Sequence, residues 1–209
     1  MKIYLFRHGE TDYNKNKRMQ GSADIPLNEY GRELAKVSGE ALKDVVFDRV
    51  FCSPLGRAQE TARLILGEKQ VDIEIDQRLR EIDAGPLEGT YFADARNDKN
   101  HPFHYFLVNP AKYTPLPGGD TFEEVIERGK EFFDEVILPL EGHCENILIV
   151  AHGGFNRSQL NRLLGISLEE YWKISLPNCA ASILEVKNGE LKVVTESTIY
   201  YETPANARP

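Results

Sequence analysis

Short apolar runs alternate with helical patterns along most of this chain, and the alternation restricts the folds open to it. Residues 2–7 form a near-continuous apolar run, which is typical of a buried strand. The other predicted strands are residues 48–53, 71–75, 147–152, 181–186 and 191–198. Helical patterns lie between the earlier ones, and the last two read as a hairpin. The order predicts an α/β fold, a three-layer α/β/α sandwich with a mostly parallel central sheet.

Three helix starts are marked by their capping residues. Asn28 is predicted to be the N-cap of the first long helix. Ser53 followed by Pro54 predicts a serine N-cap with proline at the first helical position. Thr121 and Glu124 form a capping box that opens a long amphipathic helix reaching about Val136.

The regular pattern is lost between residues 85 and 120, where aromatic, proline and polar residues follow one another without a period. We interpret this segment as a lid or specificity insertion within a single domain of residues 1–202. Its aromatic residues are expected to form a small lid core, with one or two lining a pocket: Phe92, Phe103, Tyr105, Phe106 and Tyr113. Residues 203–209 are predicted to be a disordered tail.

The charge and the cysteines narrow the class of protein. A net charge of −8 argues against a partner that is a nucleic acid or an anionic membrane, but a local group of arginines can still bind a small anion. The N-terminus is too short and too soon interrupted by Arg7 to be a signal peptide. Cys52, Cys144 and Cys179 are scattered, which is typical of reduced thiols in a cytoplasmic protein.

Residues that can bind or transfer a phosphoryl group follow three of the predicted strands. Arg7 and His8 end the first strand, Arg57 follows the second, and His152 with Gly153 ends the strand at 147–152. Ligands of parallel sheets bind beyond the carboxyl ends of the strands, so these side chains are expected to converge there. Taken singly, the arginines could instead be salt-bridge partners in an acidic protein and His152 a satisfied core histidine.

Charged groups of this kind suit phosphoryl transfer, whose catalysis depends mostly on positioning and electrostatics. Arg7 and Arg57 offer planar forks for phosphate oxygens, and His152 and Asn14 offer further contacts. Backbone N–H groups at Gly153 would add the positive end of a helix dipole. We expect the same cations to depress the pKa of His8 and keep it neutral, as a nucleophile requires.

The ordered motifs of the chain resemble those of the histidine phosphatase superfamily, also called the phosphoglycerate mutase-like family, from residue 2 to about 195. The resemblance is carried by Arg7-His8-Gly9-Glu10-Thr11, Asn14, Gln20-Gly21, Asp24-x-Pro26-Leu27, Gly31, Ser53-Pro54-Leu55-x-Arg57-Ala58-x-x-Thr61-Ala62, Leu79-x-Glu81, Gly85, Gly89, Pro117-Gly118-Gly119-Asp120 and Ala151-His152-Gly153-Gly154.

The resemblance implies a phosphoglycerate mutase-like fold and an enzyme, a phosphoric monoester hydrolase of the histidine acid phosphatase type. It implies that His8 is the nucleophile, that Arg7, Arg57 and His152 complete the catalytic set, and that Glu81 is the proton donor. Asn14, Gln20, Gly21 and Gly153 are expected to bind substrate. Because Glu10, Asp83 and Glu88 lie nearby in sequence, a surface role for Glu81 stays open. We expect no metal and no cofactor, since the arginines neutralise the charge that magnesium would otherwise neutralise.

Three functions are compatible with these residues: a phosphatase, a cofactor-dependent phosphoglycerate mutase, and a non-catalytic phosphate-binding module. A mutase needs further basic residues over the site, and residues 81–120 offer only Arg96, Lys99 and Lys112. The sequence therefore favours a phosphatase acting on a small phosphorylated metabolite, whose identity the residues leave open. A homodimer is compatible with the sequence, which does not require one.

Overall fold

One mixed sheet of six strands forms the centre of the fold in the computed structural model, which describes residues 1–202. Its strands are β1 Lys2–Arg7, β2 Arg49–Cys52, β3 Ile73–Ile75, β4 Asn146–Ala151, β5 Ala181–Lys187 and β6 Glu190–Thr198. They are arranged in the order β3-β2-β4-β1-β5-β6. Strands β1 to β4 pair in parallel, and the β5–β6 hairpin joins β1 in the antiparallel sense. The predicted α/β class with a mostly parallel sheet is confirmed.

Helices cover both faces of this sheet. The α-helices are α1 Asp12–Lys15, α2 Glu29–Ala41, α3 Gly56–Leu66, α4 Phe92–Asn97, α5 His104–Val108, α6 Phe122–Phe132 and α7 Gly153–Leu164. Short 3₁₀ segments occupy Gln77–Leu79, Gly85–Leu87, Pro110–Lys112, Leu138–Leu140 and Leu168–Lys173, and a π-helical turn spans Phe133–Ile137.

Strand β1 shows why the sheet needs two helical layers. Its apolar side chains alternate between two hydrophobic clusters: Ile3 and Leu5 pack with residues of α6 and α7, whereas Tyr4 and Phe6 pack with residues of α2 and α3. All four are buried. Successive side chains of a strand point to opposite faces, so an apolar strand of this kind is stable only when both faces are covered.

Two of the three predicted N-caps are observed in the structure, and the third is not. The Asn28 side chain accepts from Gly31 N, and Thr121 and Glu124 form the predicted capping box. The N-cap of α3 is Leu55, without a side-chain hydrogen bond, so the prediction of Ser53 as the cap was wrong. The α-helical part of this segment, α6, ends at Phe132. The π-helical turn Phe133–Ile137 follows it directly, so the helical chain extends to the predicted end near residue 136, but its last turn is π-helical.

Residues 85–120 contain more structure than their sequence indicates, namely α4, α5 and two 3₁₀ turns. Phe103 and Phe106 stack at 4.1 Å and are buried, which fits the expected aromatic core, but Tyr105 is exposed. The predicted tail, residues 203–209, lies outside the described residues. Among residues 1–202, no helix combines the length and the apolar character that a membrane span requires.

Candidate active site

The register of the parallel strands brings His8, Ser53 and His152 to one edge of the sheet. The backbone N–H of His8 donates to Ala151 O at 3.0 Å, and that of Ser53 donates to Val150 O at 3.0 Å. The rings of His8 and His152 consequently lie 5.1 Å apart between centroids. The expected convergence of residues 8 and 152 is therefore observed.

His8 is buried and held in one tautomer. Its Nδ1 atom lies 2.7 Å from Gly9 O, and because a carbonyl oxygen can only accept, Nδ1 carries the proton. The lone pair is then on Nε2. Burial lowers the pKa of His8 well below its usual range, and the charges of Arg57 and Arg7 lower it further. The predicted direction is confirmed, although burial and not the cations is the largest cause.

The turn after His8 is fixed by close backbone contacts. Gly9 N donates to Thr61 Oγ1 at 2.9 Å, and Asn178 Nδ2 donates to His8 O at 3.1 Å. A Cβ atom at Gly9 would lie 2.6 Å from Gly31 O, so only glycine fits where this turn crosses helix α2. These contacts orient the imidazole before any substrate is present.

His152 is buried beside His8, and its position explains the fate of the predicted serine cap. Its Nε2 atom lies 2.7 Å from Ser53 Oγ, which also accepts from Leu55 N at 3.3 Å, so the hydroxyl contacts the histidine and the N-cap residue of α3 without capping the helix itself. Burial lowers the pKa of His152 well below its usual range, with Arg57 and His8 as further causes. The Nδ1 atom of His152 has no hydrogen-bond partner among residues 1–202.

Arg7 and Arg57 are each tethered through the ends of their guanidinium groups. Arg7 Nη1 donates to Leu176 O at 2.6 Å. Arg57 donates to Ala23 O at 2.6 Å and to Gly21 O at 2.8 Å. The Nε atom of each is buried without a partner among the described residues. Burial and the charge of Arg157 lower the pKa of Arg7 to about 10, so it stays charged at neutral pH.

Neither arginine is a salt-bridge partner of a carboxylate. The ion pairs within residues 1–202 involve other basic residues throughout, so the alternative interpretation of Arg7 and Arg57 fails.

Glu81 lies against the N-terminus of helix α7. Gly154 N donates to Glu81 Oε2 at 3.0 Å, and Phe155 N donates to Oε1 at 2.9 Å. A Cβ atom at residue 154 would lie 2.6 Å from Glu81 Oε1, so glycine makes room for the carboxyl group. Asp83, which lies near Glu81 in the sequence, accepts from Gly85 N at 2.7 Å.

Arg128 fixes the chain that carries Glu81. Its guanidinium donates to Arg78 O at 2.6 Å, Arg80 O at 2.7 Å and Glu81 O at 3.1 Å. It also lies 3.4 Å from Asp120 Oδ2. One largely buried side chain of α6 thus holds the backbone carbonyl groups of residues 78, 80 and 81.

The predicted substrate-binding residues border the same space. Asn14 Oδ1 accepts from Thr11 N and from Asn178 Nδ2, each at 3.2 Å, which leaves its Nδ2 as a donor. Thr11 Oγ1 donates to Gln20 Oε1 at 2.8 Å, which leaves the Gln20 amide nitrogen as a donor. Gly21, with φ of 57°, is held through its carbonyl by Arg57.

A cavity of about 330 Å³ opens above His8. Its lining contains seven of the nine residues predicted from the sequence: Arg7, His8, Asn14, Gln20, Gly21, Glu81 and Gly153. Arg57 and His152 are outside this lining and buried, adjacent to His8. The other lining residues are Arg18, Met19, Ile82, Phe92, Arg96, Phe106, Leu107, Gly154, Arg157 and Trp172.

Sequence reasoning missed Arg18 and Arg157, because it sought extra cations only between residues 81 and 120. Both had a usable signal. Arg18 stands two residues before Gln20, and Arg157 stands one helical turn after Gly153. Arg157 Nη1 donates to Gly153 O at 3.1 Å, and its guanidinium lies 5.3 Å from the Trp172 ring.

Comparison with known proteins places this site in a family. The family model of the histidine phosphatase superfamily (branch 1) matches residues 3–198. The chain is 35% identical over 189 residues to a 2,3-bisphosphoglycerate-dependent phosphoglycerate mutase of Parvibaculum lavamentivorans, covering 88% of this chain and 90% of that protein. The chain therefore belongs to the histidine phosphatase superfamily.

Solved structures agree with this assignment. Bacillus stearothermophilus YhfR superposes with a TM-score of 0.85 at 34% identity, covering 93% of this chain and 96% of that one. The alpha-ribazole phosphatase of Shigella flexneri superposes with a TM-score of 0.82 at 30% identity, covering 95% and 96%. The relatives thus include proteins named as phosphatases and as mutases.

Proposed function

We propose that this protein is a metal-independent phosphomonoesterase that acts on a small phosphorylated metabolite through a phosphohistidine at His8. The observation that carries the proposal is the state of His8 at the cavity: a buried, neutral imidazole whose Nδ1 proton is committed to Gly9 O. Nε2 is then the nucleophilic atom. Arg7 and Glu81 line the same cavity, so charge stabilisation and a proton donor are both within the site.

In the first step Nε2 of His8 attacks phosphorus, and the bond between phosphorus and the leaving oxygen breaks. The charge on the phosphoryl oxygens is stabilised by Arg7 and Arg57, whose unpaired Nε atoms are donors that a phosphoryl group would satisfy, and by His152, whose unpaired Nδ1 atom is a donor in the tautomer in which Nε2 accepts from Ser53 Oγ. Asn14, Gln20, Gly21 and the N-terminus of α7 at Gly153 complete the phosphate contacts.

Glu81 carries the proton in both steps. It protonates the leaving oxygen as the ester bond breaks, and it later takes a proton from the water that attacks the phosphohistidine. Hydrolysis releases inorganic phosphate and restores neutral His8. The backbone N–H groups of Gly154 and Phe155 hold the carboxyl group while this occurs.

The proposal is tested by steady-state hydrolysis of para-nitrophenyl phosphate in the presence of EDTA. The wild-type protein should release inorganic phosphate, and His8→Ala should reduce kcat to near background while the circular dichroism spectrum is retained. A His8→Ala variant that keeps more than a few per cent of the activity would contradict the covalent mechanism. Loss of wild-type activity with EDTA, restored by added metal, would contradict metal independence.

A phosphoglycerate mutase is the second candidate. The sequence argument against it counted only the basic residues between 81 and 120, and the cavity lining also contains Arg18 and Arg157. Incubation with 3-phosphoglycerate, with and without 2,3-bisphosphoglycerate, separates the candidates. A phosphatase should release inorganic phosphate under both conditions. A mutase should form 2-phosphoglycerate, and do so faster with the bisphosphate.

A further inference from the structure

The cavity contains more positive charge than one phosphoryl group needs. Arg7 lies at its base beside His8, whereas Arg18, Arg96 and Arg157 belong to its other walls. Glu81 is the single acidic residue of the lining described here. With Arg57 buried next to His8, the phosphoryl position already has two guanidinium groups of its own.

The extra arginines are not neutralised by the protein, although acidic residues outnumber basic ones by 33 to 25. Within residues 1–202, none of the ion pairs includes Arg18, Arg96 or Arg157. Arg157 is held by the carbonyl oxygens of Ile174 and Gly153. A Cβ atom at Gly153 would lie 3.1 Å from Arg7 Nε and 3.2 Å from Arg157 Nη1, so Arg157 lies beside Arg7 at the phosphoryl end. Arg18 and Arg96 are the cations left to contact another part of a ligand.

Arg18 and Arg96 are brought to one wall by backbone pairing. Arg18 forms an antiparallel bridge with Tyr91, and its guanidinium lies 4.3 Å from the Tyr91 ring. Phe92 N donates to Lys17 O at 2.9 Å and begins helix α4, on which Arg96 follows one turn later. Residues four apart share a helix face, so Phe92 and Arg96 face the cavity together.

An apolar wall completes the space next to these arginines. It is formed by Phe92, Phe106 and Trp172, and Trp172 Nε1 donates to Phe106 O at 2.7 Å. A cavity of about 330 Å³ has room for a skeleton beyond the phosphoryl group, but it is at the small end of ligand sites. The space therefore fits a short organic phosphate with one further charged group.

We propose that Arg18 and Arg96 form a second anion subsite, and that the substrate is a phosphomonoester carrying a second anionic group. That group is a carboxylate or a second phosphate, and the carbon skeleton between the two anions lies against the aromatic wall. This inference rests on the proposed function, which puts the phosphoryl group at His8. Both residues would act as specificity determinants.

Paired substrates that differ only in the second anion test the subsite. The carboxylate arm compares 3-phosphoglycerate with glycerol 3-phosphate, and the phosphate arm compares fructose 1,6-bisphosphate with fructose 6-phosphate. In one arm, kcat/KM of the wild type should favour the doubly anionic member about tenfold or more, as expected for a charge-assisted contact. The arm that shows the preference identifies the anion.

Substitutions then assign the preference to the arginines. Arg96→Gln and Arg18→Gln should each reduce the substrate ratio severalfold, and Arg96 is exposed, so its replacement should not impair folding. Lys99→Gln is the matched control: it removes the same charge from an exposed site of the same segment outside the cavity lining, and it should leave the ratio unchanged.

The outcomes separate this inference from the proposed function. If para-nitrophenyl phosphate is hydrolysed but both ratios are near one, or if Arg96→Gln and Lys99→Gln behave alike, the second subsite is wrong and the phosphatase stands. If no phosphomonoester is hydrolysed, the affinities of the same paired compounds, measured by titration calorimetry, test the second subsite independently of catalysis. Tighter binding of the doubly anionic member that Arg96→Gln abolishes supports the subsite, and equal binding overturns it.

Discussion

The Nδ1 atom of His8 donates to the carbonyl oxygen of Gly9 over 2.7 Å. This single contact decides which nitrogen of the ring can react, because it assigns the proton to Nδ1 and the lone pair to Nε2. The nucleophilic role proposed for His8 also requires a neutral imidazole, and burial favours the neutral form by lowering the pKa of His8. Tautomer and charge are thus set by the fold and need no substrate.

Glu81→Gln tests the proton-donor role by leaving-group dependence. Poor leaving groups need the proton and good ones do not, so hydrolysis of an alkyl phosphate should fall about 10²-fold or more, and that of para-nitrophenyl phosphate much less. Asp83→Asn is the control, because that carboxylate accepts from Gly85 N and should not alter the dependence. Equal slowing of both substrates by Glu81→Gln would remove Glu81 from this role.

Arg128 is predicted to be a positioning residue for Glu81, through its bonds to the carbonyl groups of residues 78, 80 and 81. Arg128→Met should lower kcat about tenfold with little change in KM, and should move the leaving-group dependence toward that of Glu81→Gln. Arg80→Gln is the variant to compare with Arg128→Met, because Arg80 also forms an ion pair with Asp120 but its side chain is more exposed.

A purely structural role for Arg128 makes a different prediction. The thermal midpoint would then fall in Arg128→Met, whereas the leaving-group dependence would stay that of the wild type. Steady-state kinetics with alkyl and aryl phosphates, measured well below the thermal midpoint, distinguishes the two.

The pKa values of His8 and His152 predict how stability changes with pH. Both are lowered in the folded state, so below about pH 6.5 the unfolded chain binds more protons than the folded one. The free energy of unfolding should therefore fall as pH drops from about 6.5 to 5, with a slope approaching about 2.7 kcal/mol per pH unit for two histidines.

Urea unfolding between pH 5 and 7.5 measures this slope. His8→Asn should reduce it by about half, because one of the two titrating groups is removed. A wild-type slope close to zero would mean that one or both imidazoles take up a proton without unfolding.

The fold could be predicted from the sequence, and seven of the nine predicted site residues line the cavity, because both depend on local signals. Apolar runs that alternate with helical patterns predict a parallel sheet. The carboxyl ends of parallel strands lie at one edge of the sheet, so the sequence could place His8 and His152 together. Asn28 and Thr121 were predicted as caps because a cap bonds within three residues of itself.

Predictions that depended on distant partners were the ones that failed. Ser53 has the local signature of a cap, but its hydroxyl lies 2.7 Å from His152, a residue far along the chain. The backbone bridge that pairs Arg18 with Tyr91 joins residues far apart in the chain, so the local sequence around Arg18 placed it near Gln20 but not against this wall of the cavity. Helices α4 and α5 are too short to show a helical period, and their aromatic packing follows from tertiary contacts.

Trapping the covalent intermediate tests the central claim most directly. The wild-type protein is mixed with excess para-nitrophenyl phosphate, quenched in alkali within a turnover, digested and examined by mass spectrometry. We predict one added phosphoryl group on the peptide that contains His8, lost on acid treatment and absent from His8→Ala. A phosphoryl group on another residue, or hydrolysis with no labelled peptide at any quench time, would contradict the account.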